Sequence, residues 1–353
     1  MKIQNLQTPA LIVDADVMAK NREAMKGILA ASGVKLRPHY KSHKCARLAM
    51  MQLEDGAVGM TCAKLSEAMD LADAGIGDIL IANQILQPEK IWQAALLAKV
   101  CRLTLCVDHA ENVKMLSHAA TAVGSELHCL VEYEIGMGRC GVSTEAEVCA
   151  LARQIKEAPG LSFDGVQAYA GHLSHTVSYE ERKEESEKNA QKLRSLLAAL
   201  AEAGTPVNVL SGGSTGTCQI KAAEGLYTEL QAGSYLFMDA TYKELSLPFR
   251  NSLFIVATVV SAREDLVVID AGVKSCGVDQ GMPEPIGFRY EKIVASEEHF
   301  QIWKPSRSFS VGERMFLVPA HCCSTVNLYD KLYLCSRERI LERIPVSARG
   351  CSK

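Results

Sequence analysis

Short apolar runs alternate with amphipathic stretches over the first two thirds of the chain. Runs rich in aliphatic and β-branched residues lie at 34–41, 57–62, 78–82, 103–108, 128–134, 162–170, 207–212 and 227–239, and predict eight strands. Helical spacing fills the intervals at 43–53, 64–74, 88–97, 111–122, 143–157 and 180–203, with a short piece near 217–223. Another helix is expected at 16–31, just before the first of these strands, and several helices stop at a glycine, such as Gly75, Gly124 and Gly204. Continuous apolar interiors, as in Leu103-Thr-Leu-Cys-Val107, suit strands buried on both faces.

Each helix is then the crossover between neighbouring parallel strands. Eight such units close into a (β/α)8 TIM-type barrel. The alternative is an open doubly wound sheet, but no glycine fingerprint follows the first strand. After Asp239 the texture changes. Short β runs at 251–261, 266–270, 314–318, 331–335 and 340–344 alternate with turns and no long helix, which predicts a mostly antiparallel β-domain. The expected domains are therefore a barrel over 15–240 and a β-domain over 241–353, which residues 1–14 join through the run at 9–13.

Composition narrows the function classes. Apolar residues make up 48% and charged residues 22% of 353, as in an ordinary globular chain. The net charge of −3, without a basic tract, argues against nucleic acid or an anionic membrane as partner. No apolar run reaches the length of a bilayer span, and the N-terminus has no signal-peptide pattern, so a cytoplasmic protein is expected. The thirteen cysteines, with no Cys-x-x-Cys pair, are expected to be reduced thiols rather than a disulfide framework.

Barrels of this type build their chemistry at the C-terminal ends of the strands. Lys41 stands at the first such end among Arg37, His39, His43 and Lys44. Crowded cations and partial burial favour a free amine able to form a Schiff base; the bland alternative is a surface patch that binds phosphate or nothing. Ser211-Gly-Gly-Ser-Thr-Gly216 follows the seventh strand and precedes a short helix. Its glycines, the hydroxyls of Ser214 and Thr215 and the following helix N-terminus make a phosphate cup, where the alternative is an ordinary polar turn. Gly233-Ser234-Tyr235 at the eighth strand is placed to help.

A lysine and a phosphate cup in one barrel suggest pyridoxal phosphate. Tyr169 could stack on the cofactor ring or be a core tyrosine. Arg139 could hold a phenolate or carboxylate, or be a surface arginine. His172 and His175 suit proton transfer near neutral pH, or are plain loop polarity. In the β-domain, His321-Cys322-Cys323 on a strand would turn His321 and Cys323 to one face. An imidazole and a thiolate suit Zn²⁺, with substrate and water completing the shell; a chance surface histidine beside two core thiols is the alternative.

These residues together resemble the D-threonine aldolase family, a branch of the alanine-racemase-like, fold type III pyridoxal phosphate enzymes. The resemblance rests on Thr8-Pro-Ala-Leu-Ile-Val-Asp14, Arg37-Pro-His-Tyr-Lys41-Ser-His-Lys44, Gly138-Arg-Cys-Gly-Val142, Gln167-Ala-Tyr169, Gly212-Gly-Ser-Thr-Gly216, Glu229-Leu-Gln-Ala-Gly-Ser-Tyr235, Asp270-Ala-Gly-Val-Lys274 and Val318-Pro-Ala-His321 with Thr325-Val-Asn327. It implies a homodimer that acts on a small D-3-hydroxy amino acid. It also implies Lys41 as the Schiff-base lysine, and Tyr169, Thr215, Gly233 and Ser234 as cofactor contacts, to which the reading of the residues adds Arg139, Ser214, Gly216 and Tyr235. His175 becomes the base acting on the substrate β-hydroxyl and His321 a metal ligand; with Cys323, from the reading of the residues, it is expected to hold a divalent ion, Zn²⁺ or Mn²⁺. The expected reaction is retro-aldol cleavage to glycine and an aldehyde. Family aldolases commonly place aspartate where Cys323 stands; the His-x-Cys pair is similar to the related D-serine dehydratases, so dehydration to a keto acid and ammonia is the alternative. A racemase or a non-catalytic cofactor carrier of the same fold is less favoured.

Overall fold

A computed structural model describes Lys2–Lys353; of residues 1–14, Met1 lies outside the described residues. The chain forms two compact units. One gathers Lys26–Lys41, Leu48–Gly233 and Cys351–Lys353, and the other gathers the segment up to Met25, Ser42–Arg47 and Ser234–Gly350.

The first unit is the expected barrel. Its eight parallel strands are Lys35–Leu36, Met60–Cys62, Asp78–Ile81, Arg102–Val107, Leu127–Glu132, Leu161–Ala168, Val209–Gly212 and Glu229–Leu230. The second to the eighth pair in chain order, and the eighth pairs with the first. A parallel bridge between His39 and Thr61, with the Thr61 N–H donating to Pro38 O at 2.9 Å, joins the first strand to the second and closes the ring. Leu103–Val107 is buried along its whole length, because helices cover the outside while side chains fill the inside. The crossover helices stand close to where the periodicity placed them. Pro88–Leu97 matches residue for residue, and Glu145–Glu157 begins at a capping box in which Thr144 Oγ1 accepts from the Glu147 N–H while Glu147 Oε2 accepts from the Thr144 N–H.

The first and eighth strands are much shorter than the apolar runs that announced them. The run at 34–41 keeps only two ladder residues, because Pro38 has no N–H to donate and the chain then tightens into a 3-10 turn at Tyr40–Ser42. The run at 227–239 gives up its ladder after Leu230. Beyond Gly233 the backbone bonds locally, Ser234 O accepting from the N–H groups of Phe237 at 3.1 Å and Met238 at 2.6 Å.

The second unit is built on a nine-stranded sheet. Ala10–Asp14 lies antiparallel to Leu253–Ala262 and parallel to Lys331–Ser336. Leu253–Ala262 also pairs with Leu266–Ile269 and Arg314–Val318, and Lys331–Ser336 pairs with Arg339–Pro345. Ile3, Leu6, Ala10, Ile12, Val256 and Cys335 form one buried cluster on this sheet. Three strands had no clear signal: Glu284–Pro285, Lys292–Ala295 and Phe300–Trp303. The first has two residues, and Lys292–Ala295 buries no residue fully, so neither shows an apolar alternation.

Candidate active site

In the barrel unit, the 3-10 turn that follows the first strand projects Lys41 while burying its neighbour. Tyr40 is fully buried and its hydroxyl donates to Asp70 Oδ2, whereas Lys41 is exposed at a cavity of about 150 Å³. His39, Asn83, Arg139, Gln167, Tyr169 and Gln231 line the same cavity. Three residues singled out along the sequence, Lys41, Tyr169 and Arg139, are thus brought together by loops after the first, fifth and sixth strands.

The supposed crowd of cations does not gather there. The Arg37 guanidinium is buried against Glu229, 2.8 Å away, and Asp78, 2.6 Å away. Burial opposes its charge, but the two carboxylates hold its pKa above the ordinary value. His43 and Lys44 belong to the other unit, where Lys44 Nζ donates to Ala348 O at 3.4 Å. His39 alone of the four lines the Lys41 cavity.

The polar wall is organised by residues that carried no role in the motifs. Gln231 Nε2 donates to Gln167 Oε1 at 2.6 Å and to Ser211 Oγ at 2.8 Å. Glu132, buried at the end of the fifth strand, accepts from Gln84 Nε2 at 2.5 Å and lies 3.6 Å from Arg139 Nη2. Burial pushes the Glu132 carboxyl up, against the pull of Gln84 and Arg139. The Arg139 guanidinium lies 5.6 Å from the Tyr169 ring centre. A carboxylate among apolar strand residues was the signal that could have found Glu132, since such groups are rarely buried without a partner.

The glycine-rich turn after the seventh strand is wholly buried from Ser211 to Cys218. Gly213 has φ of +70°, open to glycine and costly for most residues. Gly216 presses its backbone against the turn that follows the sixth strand: a Cβ there would sit 2.0 Å from Ser174 O. Ser174 Oγ donates to Ser214 Oγ at 2.9 Å, and the Ser214 N–H donates to Thr217 Oγ1 at 3.1 Å. The turn is therefore packed with hydroxyls and tied to Gly171–His175, whose last residue is the exposed His175. His172 is also exposed, and its ring lies against Gly136, where a Cβ would meet Cε1 at 3.0 Å.

The β-rich unit holds the second cluster. The alternating strand expected to aim His321 and Cys323 together is not there. The strand ends at Val318, and Cys322–Val326 is a helical turn with His321 at its N-cap. The two side chains meet nonetheless, by a hydrogen bond between imidazole and thiol. Asp279 Oδ2 lies 2.7 Å from His321 Nδ1, and Ser324 Oγ donates to Asp279 Oδ1 at 2.5 Å. Burial works against the imidazolium, but Cys323 and Asp279 outweigh it and raise the His321 pKa to about 9. Cys322 is buried; its N–H donates to Asp239 Oδ2 at 2.9 Å and its thiol to Ser234 Oγ at 3.7 Å. Tyr235 is buried against Phe249, with ring centres 5.8 Å apart. Among the described residues no group of three or more His, Cys, Asp or Glu side chains is assembled as a metal cluster.

Comparison with known proteins converges on one family. The model of the alanine racemase N-terminal domain matches residues 13–241, and that of a serine dehydratase domain matches residues 252–335. The chain is 40% identical to a D-threonine aldolase of Arthrobacter sp. over 361 aligned positions, covering 99% of this chain and 95% of that one. It is 37% identical to a 3-hydroxy-D-aspartate aldolase of Paracoccus denitrificans, covering 99% and 94%. The crystal structure of D-threonine aldolase from Filomicrobium marinum superposes with a TM-score of 0.96 at 35% identity, covering 100% of this chain and 98% of the other. The closed parallel barrel, the β-rich unit and these full-length likenesses agree: the chain belongs to the D-threonine aldolase family of alanine-racemase-like enzymes.

Proposed function

We propose that this chain is a pyridoxal phosphate- and divalent metal-dependent lyase that splits D-3-hydroxy amino acids of the D-threonine type into glycine and an aldehyde. The observation that carries the proposal is full-length likeness to two aldolases, joined to a primary amine exposed at a polar cavity of the barrel. The donor set there fits the cofactor. Lys41 offers the amine for its aldehyde, Tyr169 and Arg139 face the same space, and the buried Ser214–Gly216 turn offers hydroxyls and close backbone for its phosphate. His321 and Cys323, one imidazole touching one thiol, fit a borderline metal such as Zn²⁺, with Mn²⁺ as the other expected ion; two protein ligands leave room for water and substrate.

When bound, pyridoxal phosphate supplies an electron-accepting ring and the metal a Lewis acid for the β-oxygen. The residues do the rest. Lys41 would hold the cofactor through its amine. The hydroxyl-lined turn would hold the phosphate, with Gly233 in support. Arg139, braced by Glu132, holds a phenolate or carboxylate oxygen. His175 takes the proton from the β-hydroxyl, so that the oxygen closes to a carbonyl as the Cα–Cβ bond breaks. The active assembly is a homodimer, as the resemblance implies. The compartment is the cytoplasm, on the ground that all thirteen cysteines are free thiols.

Dehydration is the second reading, favoured by the serine dehydratase domain match and by the His-x-Cys pair. One assay separates them. With pyridoxal phosphate and Zn²⁺ or Mn²⁺ present, D-threonine should give glycine and acetaldehyde in equal amounts. Ammonia with a keto acid from D-threonine or D-serine, without glycine, would establish the dehydratase instead.

A further inference from the structure

Arg182 is 1% exposed, among the largest fully buried side chains of the protein, yet among the described residues no carboxylate pairs with it. It sits in the first turn of the helix Tyr179–Glu202 and reaches back along the chain. Its Nη1 donates to the carbonyls of Thr176 and Val177, the latter at 3.0 Å, while Nε finds no partner among the described residues. The guanidinium also lies 5.8 Å from the Tyr179 ring centre. Helix capping does not require this arrangement, because Ser178 Oγ already accepts from the Glu181 N–H at 3.2 Å. A buried cation kept on main-chain carbonyls, with one donor unsatisfied, is an expensive way to hold a loop.

What the loop carries explains it. Immediately before Thr176 stands His175, and before that Ser174. Ser174 is buried, hydrogen-bonded to Ser214 and pressed against Gly216. The exposed His175 is therefore gripped on both sides, through Ser174 by the glycine-rich turn and through Thr176 by Arg182. The turn Gly171–His175 lies just beyond the sixth strand, among the loops where barrels of this type place their chemistry.

We infer that Arg182 is a positioning residue for His175: it fixes the backbone on the C-terminal side of the imidazole so that the proton-accepting nitrogen is held where the β-hydroxyl is presented. This rests on the proposed role of His175 and adds a residue to which neither the sequence motifs nor the cavity pointed.

The test compares Arg182→Met, Arg182→Lys and His175→Gln in the cofactor-loaded, full-length enzyme, by steady-state kinetics, the cofactor's visible absorbance, and hydrogen exchange of the amides between 171 and 178. A displacement of an ångström or so can cost roughly 10²-fold in rate. Arg182→Met should lower kcat by roughly that factor with KM within about threefold, leave the cofactor absorbance in place, and speed exchange in the segment. Arg182→Lys, which keeps the charge but replaces the planar guanidinium by a compact ammonium, should fall between. If Arg182→Met does not fold, Arg182→Lys decides the matter by the same three measurements. Loss of activity in His175→Gln with unchanged kcat and exchange in the Arg182 variants would overturn the inference. Full activity in His175→Gln would overturn the proton-acceptor role itself, whatever Arg182 does.

Discussion

The carboxylate of Asp279 lies 2.7 Å from Nδ1 of His321, and its other oxygen is held by Ser324 Oγ at 2.5 Å. A carboxylate on one ring nitrogen fixes the orientation of an imidazole and leaves the other nitrogen for a metal. Asp279 is thereby locked by the same turn that carries His321 and Cys323. Removing such a carboxylate commonly costs about 10–100-fold in metal affinity. Asp279→Ala should weaken binding of Zn²⁺ or Mn²⁺ by that order while leaving the barrel's cofactor absorbance intact. Equilibrium dialysis against buffered metal, followed by elemental analysis, measures it; wild-type affinity in the variant would remove Asp279 from the metal site.

Among the described residues, Lys41 is the one lysine lining the polar cavity of the barrel. Lys41→Ala should therefore lose the visible absorbance of cofactor joined to protein, and with it all turnover. Borohydride treatment of the loaded wild-type enzyme, digestion and mass spectrometry should place the pyridoxyl group on Lys41. An adduct on any other lysine would refute the assignment.

The barrel was legible because its signal is repeated and local. Crossover helices such as Glu145–Glu157 show a 3.6-residue stripe, and strands such as Arg102–Val107 a mostly apolar run. The first and eighth strands were overdrawn because the first turns into a 3-10 turn soon after Pro38, and because apolarity continues past Gly233 in the eighth while the ladder does not. In the site, Lys41, Tyr169 and Arg139 could be picked out because each stands beside a strand end. Gln231, Asp279 and Arg182 could not, since each acts on a residue distant in sequence or through the main chain. His321 and Cys323 were paired for the wrong reason: they meet on a helical turn, not on one face of a strand. The cluster of cations around Lys41 likewise dissolves once Arg37 is seen to be bound to Glu229 and Asp78.

Gly216 and Gly27 make a controlled pair. A Cβ on Gly216 would stand 2.0 Å from Ser174 O, backbone that cannot swing aside. Gly216→Ala must therefore push the glycine-rich turn and the His175 turn apart, at a cost of about 1–3 kcal/mol. Cofactor release followed by absorbance should accelerate and activity should fall. A Cβ on Gly27, in the helix Ala15–Ala30, meets nothing within 4 Å, so Gly27→Ala should stabilise the fold by about 0.5–1 kcal/mol with activity unchanged. Equal effects of the two substitutions on cofactor release would show that the close approach at Gly216 has no functional consequence.

Asp164 tests the electrostatics of the barrel away from its chemistry. It is buried on the sixth strand, 2.5 Å from Arg102 Nη2 and 3.1 Å from His128 Nδ1. Burial raises its pKa, but the bonds from His128 and Arg102 prevail and the net shift is downward. A carboxylate with a depressed folded-state pKa stabilises the protein above its unfolded pKa of about 3.9, and that contribution is lost as pH falls through the lower folded value. Arg102 is nearly half exposed, so solvent screens part of the interaction. Asp164→Asn should thus cost about 1–2 kcal/mol at pH 7, and the difference from wild type should shrink steadily below pH of about 4. Urea midpoints for both proteins across that range measure the effect. A difference that grows on acidification would mean that burial, rather than the contacts with His128 and Arg102, governs this carboxyl.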